Sequence, residues 1–577
     1  MRPASFTKIQ FRRRNTSQAV RVLPELLGID TETYLTGKPF MCCLSNGEEI
    51  DIAQIPARFF SREYRNQHFV AYKLKFDSGS LLSVMPAIKR KQLAKTERCT
   101  WRGYKWLYIP HKCLRISKGK NAVTFWDISQ FYKTSLNTAA NDYLAEKKDD
   151  IKSKLFTPEN VPPQRENIKK YCTRDAYLAA RLANYFVGKL AGLGIKVNNL
   201  YSPASIAYTD FRTSCGIVDM TRHIRFNREM LNYAYQAYHG GKFEVTARGK
   251  FNGFEYDGLS AYAFELSKLR DISEAQVRYF KEFIPDADYG FIKVRFEIPP
   301  HVHHPVPVKH LTLAYYPVGR IETIITKAEY EFMESAGVRL DVVDGWYLFC
   351  PNAPARYRDR IEYLYGIKED KEHQDPIIRD CARIILSGFY GKNAQLTARP
   401  GGTYVAGPAF NPVFAAIITA NWRIRVSQLQ NQLKDDCLAV HTDAIISRKG
   451  LPTGFLGRKL GDWAQKGSGN GVIVACGLYQ LGKKNKMRGL TLNRKTTWFD
   501  ILANMGKNSV CELTESRVMS WLHAAHLDTP EKTNIFDTLP KILDLNCDTK
   551  RVWLRKTNAA ALLAGTEQSI PRIIQQF

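Results

Sequence analysis

The sequence lacks the features that would place the protein in a membrane or in the secretory pathway. No stretch approaches the roughly 20 consecutive apolar residues that a membrane span needs. The first 24 residues lack the apolar core of a secretory signal. The 12 cysteines include no CxxC pair, so neither a zinc site nor a disulfide framework is indicated. We therefore expect a cytoplasmic protein of a reducing compartment, with no membrane partner.

Acidic residues are scarce relative to basic ones. Lys and Arg number 84 against 56 Asp and Glu, which gives a formal charge of +28 and a pI near 9.5. A polyanion is the expected partner of such a chain, with nucleic acid favoured and an anionic membrane surface as the second choice. The 577 residues, 44% of them hydrophobic, are enough for several domains with substantial cores.

The region before Glu25 contains basic residues and no acid. We interpret residues 1–24 as a basic arm near nucleic acid, with a mitochondrial or other organellar transit peptide as the alternative. The basic residues of this arm are Arg2, Lys8, Arg12, Arg13, Arg14 and Arg21.

Acidic side chains follow elements that we expect to converge. Leu26 to Ile29 is predicted as a buried strand, and Asp30 and Glu32 project from its end on one side. A second strand-like run, HFVAYKLKFDSGSLL, contains Asp77, and a helix predicted from Glu166 to Leu190 contains Asp175. Carboxylates on two strands and a helix suit two divalent ions that activate water for phosphodiester hydrolysis.

A second pair of acids lies at the ends of strand patterns. Leu438 to Ser447 is predicted to form two buried strands joined by a tight turn with Asp443 at its tip. Asp443 is either a metal ligand or a turn residue that caps its own backbone. Asp257 ends a strand predicted at 254–256, just before a helix predicted at 260–266. Backbone N–H groups at that helix start favour a triphosphate, so Asp257 is the natural partner of Asp443.

Two further stretches suggest contacts with anionic strands. Asp375 and Pro376 begin a strongly amphipathic helix whose polar face carries Arg379, Arg383 and a serine at i+4 spacing. The segment YHGGKFEV places adjacent glycines between a tyrosine and a lysine, which allows the backbone to approach a nucleic-acid strand closely. Basic residues that alternate with apolar ones near the end of the chain indicate a DNA-backbone surface: Lys483, Lys484, Lys486, Arg488, Arg494 and Lys495.

Taken together, these stretches resemble the motifs of family B DNA polymerases. GIDTETY, KFD and YCTRD resemble the three motifs of the attached 3′–5′ proofreading exonuclease. YHGG, DGLSAYA, RIILSGFYGK, HTDA and GLY resemble the YxGG, DxxSLYP, KxxxNSxYG, YxDTDS and KxY motifs of the polymerase, in the family's order. The long interval between Asp257 and Arg383 is similar to that of the protein-primed subgroup of phages, adenoviruses and linear plasmids.

The resemblance implies roles for residues of the exonuclease region. Tyr171 orients the attacking water, Thr33 and Phe76 hold the single-stranded 3′ end, and Lys148 lies near the scissile phosphate. The residues implied to hold two metal ions are Asp30, Glu32, Asp77 and Asp175.

For the polymerase region, the resemblance implies a metal site of Asp257, Asp443 and the carbonyl of Gly258. Residues implied to bind the nucleotide are Tyr262, Lys371, Arg379, Arg383 and Tyr390. Residues implied to bind DNA are Tyr238, Gly240, Gly241, Tyr479, Lys483, Lys484 and Arg488. Positions that depart from the family's motifs are Lys73, Ala261, Ala263, Ser387, Gly388, His441, Ala444 and Gly477.

We expect a multidomain α+β and α/β chain, with an RNase H-like 3′–5′ exonuclease domain followed by a right-hand polymerase of palm, fingers and thumb. The expected divisions after the basic arm are the exonuclease at 25–200, a linker and first palm segment at 201–270, an insertion that contacts DNA and a priming protein at 271–370, fingers with a reduced second insertion at 371–435, a second palm segment at 436–480 and a thumb and C-terminal region of mixed helix and loop at 481–577.

The implied function is DNA-templated DNA synthesis with proofreading, started from a priming protein. Its cofactors are two Mg²⁺ ions in each active site, with Mn²⁺ as an alternative ion, and its partners are template and primer DNA, dNTPs and a priming protein. Two alternatives stay open. One is a primer-independent polymerase of the same family, and the other is a catalytically weakened nucleic-acid-binding or nuclease paralogue.

The second insertion generates a prediction about DNA synthesis. Because a helix is predicted from Pro412 to Leu433, only residues 393–411 remain for it, and we expect a reduced hairpin there. In phage relatives this insertion encircles the template, so strand displacement and processivity should be lower in this protein. Extension on a nicked duplex, under single-binding-event conditions, measures both properties. Long products under those conditions would contradict the prediction.

Overall fold

Apolar runs separated by turn residues form the short strands and helices of this chain. The structure is a computed structural model that describes residues 6–11, 22–151, 156–218, 220, 227–310, 313–490 and 496–577. Within these ranges, no helix is both long enough and apolar enough to cross a lipid bilayer. Several basic residues named above lie outside the described ranges: Arg2, Arg12, Arg13, Arg14, Arg21, Arg494 and Lys495.

The first domain is built on a mixed seven-stranded sheet in the order β3-β2-β4-β8-β7-β6-β5. Strands β2, β4 and β8 are parallel neighbours, and the other ladders are antiparallel. Its strands are β2 (Leu27–Thr33), β3 (Pro39–Leu44), β4 (His68–Ala71), β5 (Arg98–Trp101), β6 (Tyr104–Ile109), β7 (Cys113–Lys118) and β8 (Asn121–Asp127). The short strand β1 (Ile9–Gln10) precedes them in the chain and lies outside this sheet. The helices are α1 (Leu74–Leu81), α2 (Ala87–Thr96), α3 (Ser129–Tyr132), α4 (Leu136–Leu144) and α5 (Arg165–Gly192).

Helix α5 lies directly against strand β2 and confirms the helix predicted from Glu166 to Leu190. A Cβ atom at Gly28 would be 1.7 Å from the carbonyl oxygen of Ala176, so only glycine permits this approach. The contact brings Asp175 of α5 beside the carboxylates that follow Gly28 on β2.

The next segment leads into the first part of a second sheet. It contains α6 (Pro203–Ser214), α7 (Arg228–Ala237), β9 (Lys242–Val245), β10 (Ala247–Gly258) and α8 (Ala261–Lys268). Helix α6 was missed in the sequence, although its start has a capping box between Ser202 and Ser205 with Pro203 at the first helical position.

The insertion after α8 forms an antiparallel sheet in the order β11-β16-β12-β15. Its elements are β11 (Gln276–Phe280), β12 (Tyr289–Ile298), the separate hairpin of β13 (Val308–His310) and β14 (Leu313–Tyr315), β15 (Val318–Thr326), α9 (Lys327–Ser335) and β16 (Leu340–Phe349). The sheet ends at Phe349. The following helix α10 (Arg358–Glu369), which belongs to the range expected for the insertion, packs on α11 (Pro376–Gly388).

The second insertion is a short hairpin, as predicted. Strands β17 (Leu396–Ala398) and β18 (Tyr404–Ala406) are antiparallel, and β1 adds to β18 in parallel. The helix predicted from Pro412 to Leu433 is confirmed as α12 (Pro412–Leu433), with Asn411 as its N-cap.

The second sheet, called the palm sheet below, has the order β23-β22-β21-β10-β20-β19-β9, with β27 also paired to β10. Its later strands are β19 (Cys437–Thr442), β20 (Ala444–Ser447), β21 (Trp463–Ala475), β22 (Leu478–Leu481) and β23 (Lys484–Met487).

The last region contains more strand than predicted. Its elements are α13 (Trp498–Met505), β24 (Val510–Val518), α14 (Trp521–His526), β25 (Phe536–Asp544), β26 (Val552–Trp553), α15 (Ala559–Ala564), β27 (Thr566–Ile570) and β28 (Ile573–Gln575). The expectation of mixed helix and loop was wrong here, because β24 and β25 pair over nine residues each as a long hairpin. Strand β28 pairs in parallel with β15 of the insertion.

A buried arginine fixes the segments around the palm. Arg423 of α12 is fully buried and forms an ion pair of 2.6 Å with Glu329 of α9. Its guanidinium also donates to the carbonyl oxygens of Pro305 at 2.8 Å, His239 at 3.1 Å and Gly240 at 3.0 Å. One side chain therefore joins α12, the insertion and the glycine loop before β9.

This arrangement predicts a large loss of stability in the variant Arg423→Met. Because Glu329 would remain as an unpaired buried charge, we expect the free energy of unfolding to fall by about 3 to 5 kcal/mol. The control Arg320→Met removes an exposed ion pair with Glu297 and should cost less than about 1 kcal/mol. Urea unfolding measures both effects. A small effect of Arg423→Met, equal to that of the control, would contradict the prediction.

Candidate active sites

Strand register brings Asp257 and Asp443 together. Asp257 of β10 pairs with Ala444 of β20, so Asp443 lies one residue beyond the pair. The backbone N–H of Gly258 donates to the carbonyl oxygen of Asp443 at 2.8 Å. The prediction of two strands joined by a tight turn with Asp443 at its tip is confirmed.

The turn at Asp443 holds its carboxylate with a neighbouring hydroxyl. Thr442 has a left-handed backbone with φ of 65°, and the N–H of Asp443 donates to the carbonyl oxygen of His441 at 2.9 Å. Thr442 Oγ1 lies 2.6 Å from Asp443 Oδ1 and donates to it. This contact differs from the predicted alternative, in which the carboxylate caps its own backbone.

The environment of Asp257 disfavours a negative charge. Burial, followed by repulsion from Asp443, raises the pKa of Asp257 to about 6, although Lys466 and Lys484 lower it. A divalent cation between the two carboxylates would remove this repulsion, and oxygen ligands are the ones that Mg²⁺ prefers. The donor set therefore fits the metal site that the sequence resemblance implies.

A cavity of about 470 Å³ opens beside these acids. The rings of Tyr262 and Tyr390 stack in it with their centroids 4.2 Å apart. A Cβ atom at Gly241 would be 2.4 Å from the hydroxyl oxygen of Tyr262, so the glycine lets the loop approach the ring. Predicted site residues that line the cavity are Gly241, Asp257, Gly258, Tyr262, Arg383, Tyr390 and Asp443.

Two lysines of the cavity wall were missed in the sequence. Lys368 of α10 lines the cavity and its Nζ donates to Ser260 Oγ at 3.1 Å, whereas Lys371, which we had predicted, follows the helix and is not a lining residue. Lys466 is the extra residue of a β-bulge opposite Glu255, and bulges re-aim side chains. Helical spacing on α10 could have indicated Lys368, but no sequence signal marks the bulge.

The predicted nucleotide and DNA residues Arg379, Tyr238 and Gly240 do not line this cavity. Arg379 is half-buried, one turn before Arg383 on α11, and Arg383 forms an ion pair of 2.5 Å with Asp380. Tyr238 is the C-cap residue that follows α7, and the carbonyl oxygen of Gly240 accepts a hydrogen bond from the buried Arg423 of α12.

The predicted DNA-backbone surface near β22 and β23 is partly engaged within the protein. Tyr479 Oη donates to buried Glu255 at 2.7 Å, and Lys484 Nζ forms an ion pair of 2.6 Å with the same carboxylate. Arg488 lies over the ring of Phe243 at 4.8 Å, and Lys483 is exposed at the turn before β23. Tyr479 and Lys484 therefore stabilise the palm sheet, which the sequence did not predict.

His441 stands where the family motif has its first aspartate. Its ring stacks on Tyr479 with centroids 4.9 Å apart, and its Nε2 accepts from the N–H of Gly477 at 3.4 Å. Burial, followed by the charge of Lys484 and other basic side chains, lowers the pKa of His441 to about 3. A neutral imidazole thus replaces a carboxylate beside Asp443.

The first domain brings its own acids together beside α5. Asp30 and Glu32 lie on β2, and Asp77 lies on α1 and accepts from the N–H and hydroxyl of Thr31, both at 3.0 Å. The expectation that Asp77 lies on a strand was wrong, because the strand ends at Ala71 and a buried helical turn follows. Phe76 precedes Asp77 on this helix and is half-buried, and Thr33 ends β2.

Helix α5 supplies Asp175, Tyr171 and Cys172 to this cluster. Asp175 is buried, and Lys148 forms an ion pair with it and lies over the ring of Tyr171 at 4.5 Å. The second carboxylate oxygen of Asp175 is buried and has no hydrogen-bond partner. Cys172 was missed in the sequence, and its thiol donates to the carbonyl oxygen of Asp30 at 3.4 Å.

Burial and mutual repulsion disfavour ionisation of these acids. Burial, then Asp77 and Glu32, raise the pKa of Asp30 well above its usual range. Burial and then Asp175 raise the pKa of Glu32 to about 8, and burial raises that of Asp77 to about 7. Such a cluster, with an unpartnered carboxylate oxygen, fits divalent cations.

No family model matches the chain. A DNA polymerase of Acidianus bottle-shaped virus (isolate Italy/Pozzuoli) is 22% identical over 434 residues, which are 67% of this chain. The match spans 63% of the length of that relative.

The solved structures similar to this chain include two of phi29 DNA polymerase. The ternary complex with primer-template DNA and incoming nucleotide substrates has a TM-score of 0.64 and 14% identity, and the match covers 91% of this chain and 100% of that one. The post-translocation binary complex with primer-template DNA has a TM-score of 0.61 and 14% identity, with coverage of 90% and 99%.

The chain has the fold of phi29 DNA polymerase. This fold confirms the expected architecture, in which an exonuclease-type domain is followed by a right-hand polymerase. In this polymerase fold the palm sheet carries Asp257 and Asp443, and the first domain carries the second acidic cluster.

The raised pKa of Glu32 predicts how stability depends on pH. A carboxyl group with a raised pKa in the folded protein weakens the fold as it ionises, so its contribution is fully present below about pH 4.5 and is lost as the pH rises to about 8. Melting temperatures in EDTA should therefore fall less steeply across this window for Glu32→Gln than for the wild type. The control Glu297→Gln, at an exposed position, should follow the wild type. Coincident curves for all three proteins would contradict the prediction.

Proposed function

We propose that the protein is a DNA-templated DNA polymerase with a 3′–5′ proofreading exonuclease. The observation that carries the proposal is that Asp257 and Asp443, brought together by the register of β10 and β20, line one cavity with Tyr262 and Arg383. The phi29 fold and the similarity to a viral DNA polymerase support it. The separate cluster around Asp30 supports the second activity.

The cavity residues would each hold one part of a nucleotide. Arg383 and Lys368 neutralise the triphosphate, and Lys466 adds a third positive charge beside Asp257. Tyr262 lies under the sugar and excludes a 2′-hydroxyl by contact, while Tyr390 stacks on it and packs against the nascent base pair. Asp257 and Asp443 would hold two Mg²⁺ ions, whose Lewis acidity would favour attack of a 3′-hydroxyl on the α-phosphate and release of pyrophosphate.

The acidic cluster of the first domain would hydrolyse the 3′ end of a strand. Phe76 and Thr33 hold the unpaired end, and Tyr171 orients the attacking water. Lys148, placed by its ion pair with Asp175, contacts the scissile phosphate. The acids would hold two divalent ions, whose charge would activate water and stabilise the leaving oxygen. Mg²⁺ is the proposed ion at both sites, with Mn²⁺ as the alternative.

The proposed partners are primer-template DNA and dNTPs, and phi29 DNA polymerase has been solved with both. We further assign a priming protein to the insertion sheet, whose exposed strand β11 lies at one edge. Primer-free initiation is the competing mechanism. Synthesis from an unprimed single strand without any added protein would favour it over protein priming.

Two substitutions separate the proposed activities. Losing a metal ligand removes several kcal/mol of transition-state stabilisation, so Asp443→Asn should lower primer extension by about a thousandfold. The same substitution should leave degradation of a single-stranded 3′ end unchanged. Asp30→Asn should show the reverse pattern. Each variant is the control for the other, and normal extension by Asp443→Asn would refute the palm assignment.

A further inference from the structure

The hairpin of β24 and β25 ends in a structured segment, residues 519–535, which we call the hairpin tip. The tip contains α14 and is closed by two backbone hydrogen bonds, from Met519 N to Ile535 O at 2.9 Å and from Asn534 N to Met519 O at 2.7 Å. It projects from the last paired residues of the hairpin, Val518 and Phe536. The tip is therefore a folded extension of the two strands.

The tip inserts into the core of the first domain. Trp521 is buried within the hydrophobic cluster that contains Leu81 and Tyr108, and its ring meets that of Tyr108 edge-on at 4.7 Å. Ala525 of the same helix belongs to this cluster. The tip is thus part of the domain's packing and not a loose surface contact.

The contacts of the tip flank Asp77 on helix α1. Trp521 Nε1 donates to Ser78 Oγ at 3.0 Å, and Asn534 Nδ2 donates to the carbonyl oxygen of Phe76 at 3.3 Å. A Cβ atom at Gly79 would lie 3.1 Å from Asn534, so the tip also lies close to the backbone two residues after Asp77. Residues on both sides of the acid are therefore held by the tip.

Helix α1 has little stability of its own. It is eight residues long, its N-cap Lys73 is left-handed and provides no side-chain cap, and its sequence LKFDSGSL contains glycine and two serines. Short helices with such residues are marginal without tertiary packing. The position of Asp77 hence depends on what packs against α1.

The base of the same hairpin is anchored in the palm sheet. Leu543 of β25 packs in one cluster with Val472 of β21. Arg248 of β10, almost fully buried, donates to the carbonyl oxygens of Leu545 at 3.0 Å and Arg555 at 3.2 Å. Strand β10 also carries Asp257, so one hairpin connects the strand of one acidic site to the helix of the other.

We infer that the hairpin tip positions the exonuclease centre, with Trp521 and Asn534 as its positioning residues. They hold α1 so that Asp77 faces Asp30 and Phe76 faces the strand to be cleaved. The inference rests on the proposed exonuclease function and adds that this activity requires contact with the hairpin anchored on the palm.

The test uses the full-length chain with graded substitutions. Asn534→Ala removes one hydrogen bond, Trp521→Phe keeps the aromatic packing but removes the indole donor, and replacing 519–535 by Asn-Gly closes the hairpin with a two-residue turn. The matched control Lys91→Ala removes an exposed ion pair of 3.0 Å between α2 and Asp528 of the tip, away from α1.

We expect single-turnover degradation of a single-stranded 3′ end to slow by about tenfold in Asn534→Ala and further when the tip is replaced, because misplaced ligands weaken catalysis steeply. The Mg²⁺ concentration for half-maximal degradation should rise, which a mere loss of folded protein would not produce. Trp521→Phe should retain more activity than Trp521→Ala. Lys91→Ala and primer extension by all variants should match the wild type.

Binding of Mn²⁺, followed by EPR in an Asp257→Asn and Asp443→Asn background, gives a readout independent of turnover. Weaker binding in Asn534→Ala and the tip replacement supports the inference. Unchanged binding and unchanged Mg²⁺ requirement overturn it. A wild type that binds Mn²⁺ in the first domain but does not degrade DNA refutes the proposed exonuclease function and leaves the positioning role to be judged by EPR.

Discussion

Repulsion between carboxylates held away from water is the interaction on which this structure depends. Both acidic sites gather like charges at places where burial raises their pKa values. Such sites persist only if rigid neighbours hold them, and the neighbours here are strand pairs, a long helix and a fully buried arginine. The free energy of folding offsets the repulsion within these clusters, and a bound cation would stabilise the folded protein by reducing that repulsion.

Local patterns in the sequence were sufficient to predict an element wherever its own residues determine its secondary structure. The turn at Asp443 and the helix from Pro412 to Leu433 follow from alternation, capping and helix-starting residues, and both are confirmed. The placement of Asp77 could not be predicted, because α1 is a poor helix stabilised by Trp521, which is 443 residues away from Ser78 in the chain. The bulge at Lys466 likewise depends on pairing with a distant strand.

Two residues that depart from the family motifs, Gly477 and His441, are packed against neighbouring side chains. Where the resemblance implies a lysine, Gly477 has a left-handed backbone, and a Cβ atom there would lie 3.0 Å from the side chain of Arg488. Where it implies an aspartate, His441 stacks on Tyr479 in an uncharged form. The side chain of Arg488, which follows β23, and a neutral ring therefore lie at the two positions where the resemblance implies a lysine and an aspartate.

The long hairpin also determines how the parts of the chain are connected in space. Its base belongs to the palm sheet, its tip belongs to the core of the first domain, and the chain itself joins those two domains. The palm sheet and the first domain are therefore joined at two separate places, by the chain itself and by the hairpin. A movement of one against the other would have to bend the hairpin or release its tip.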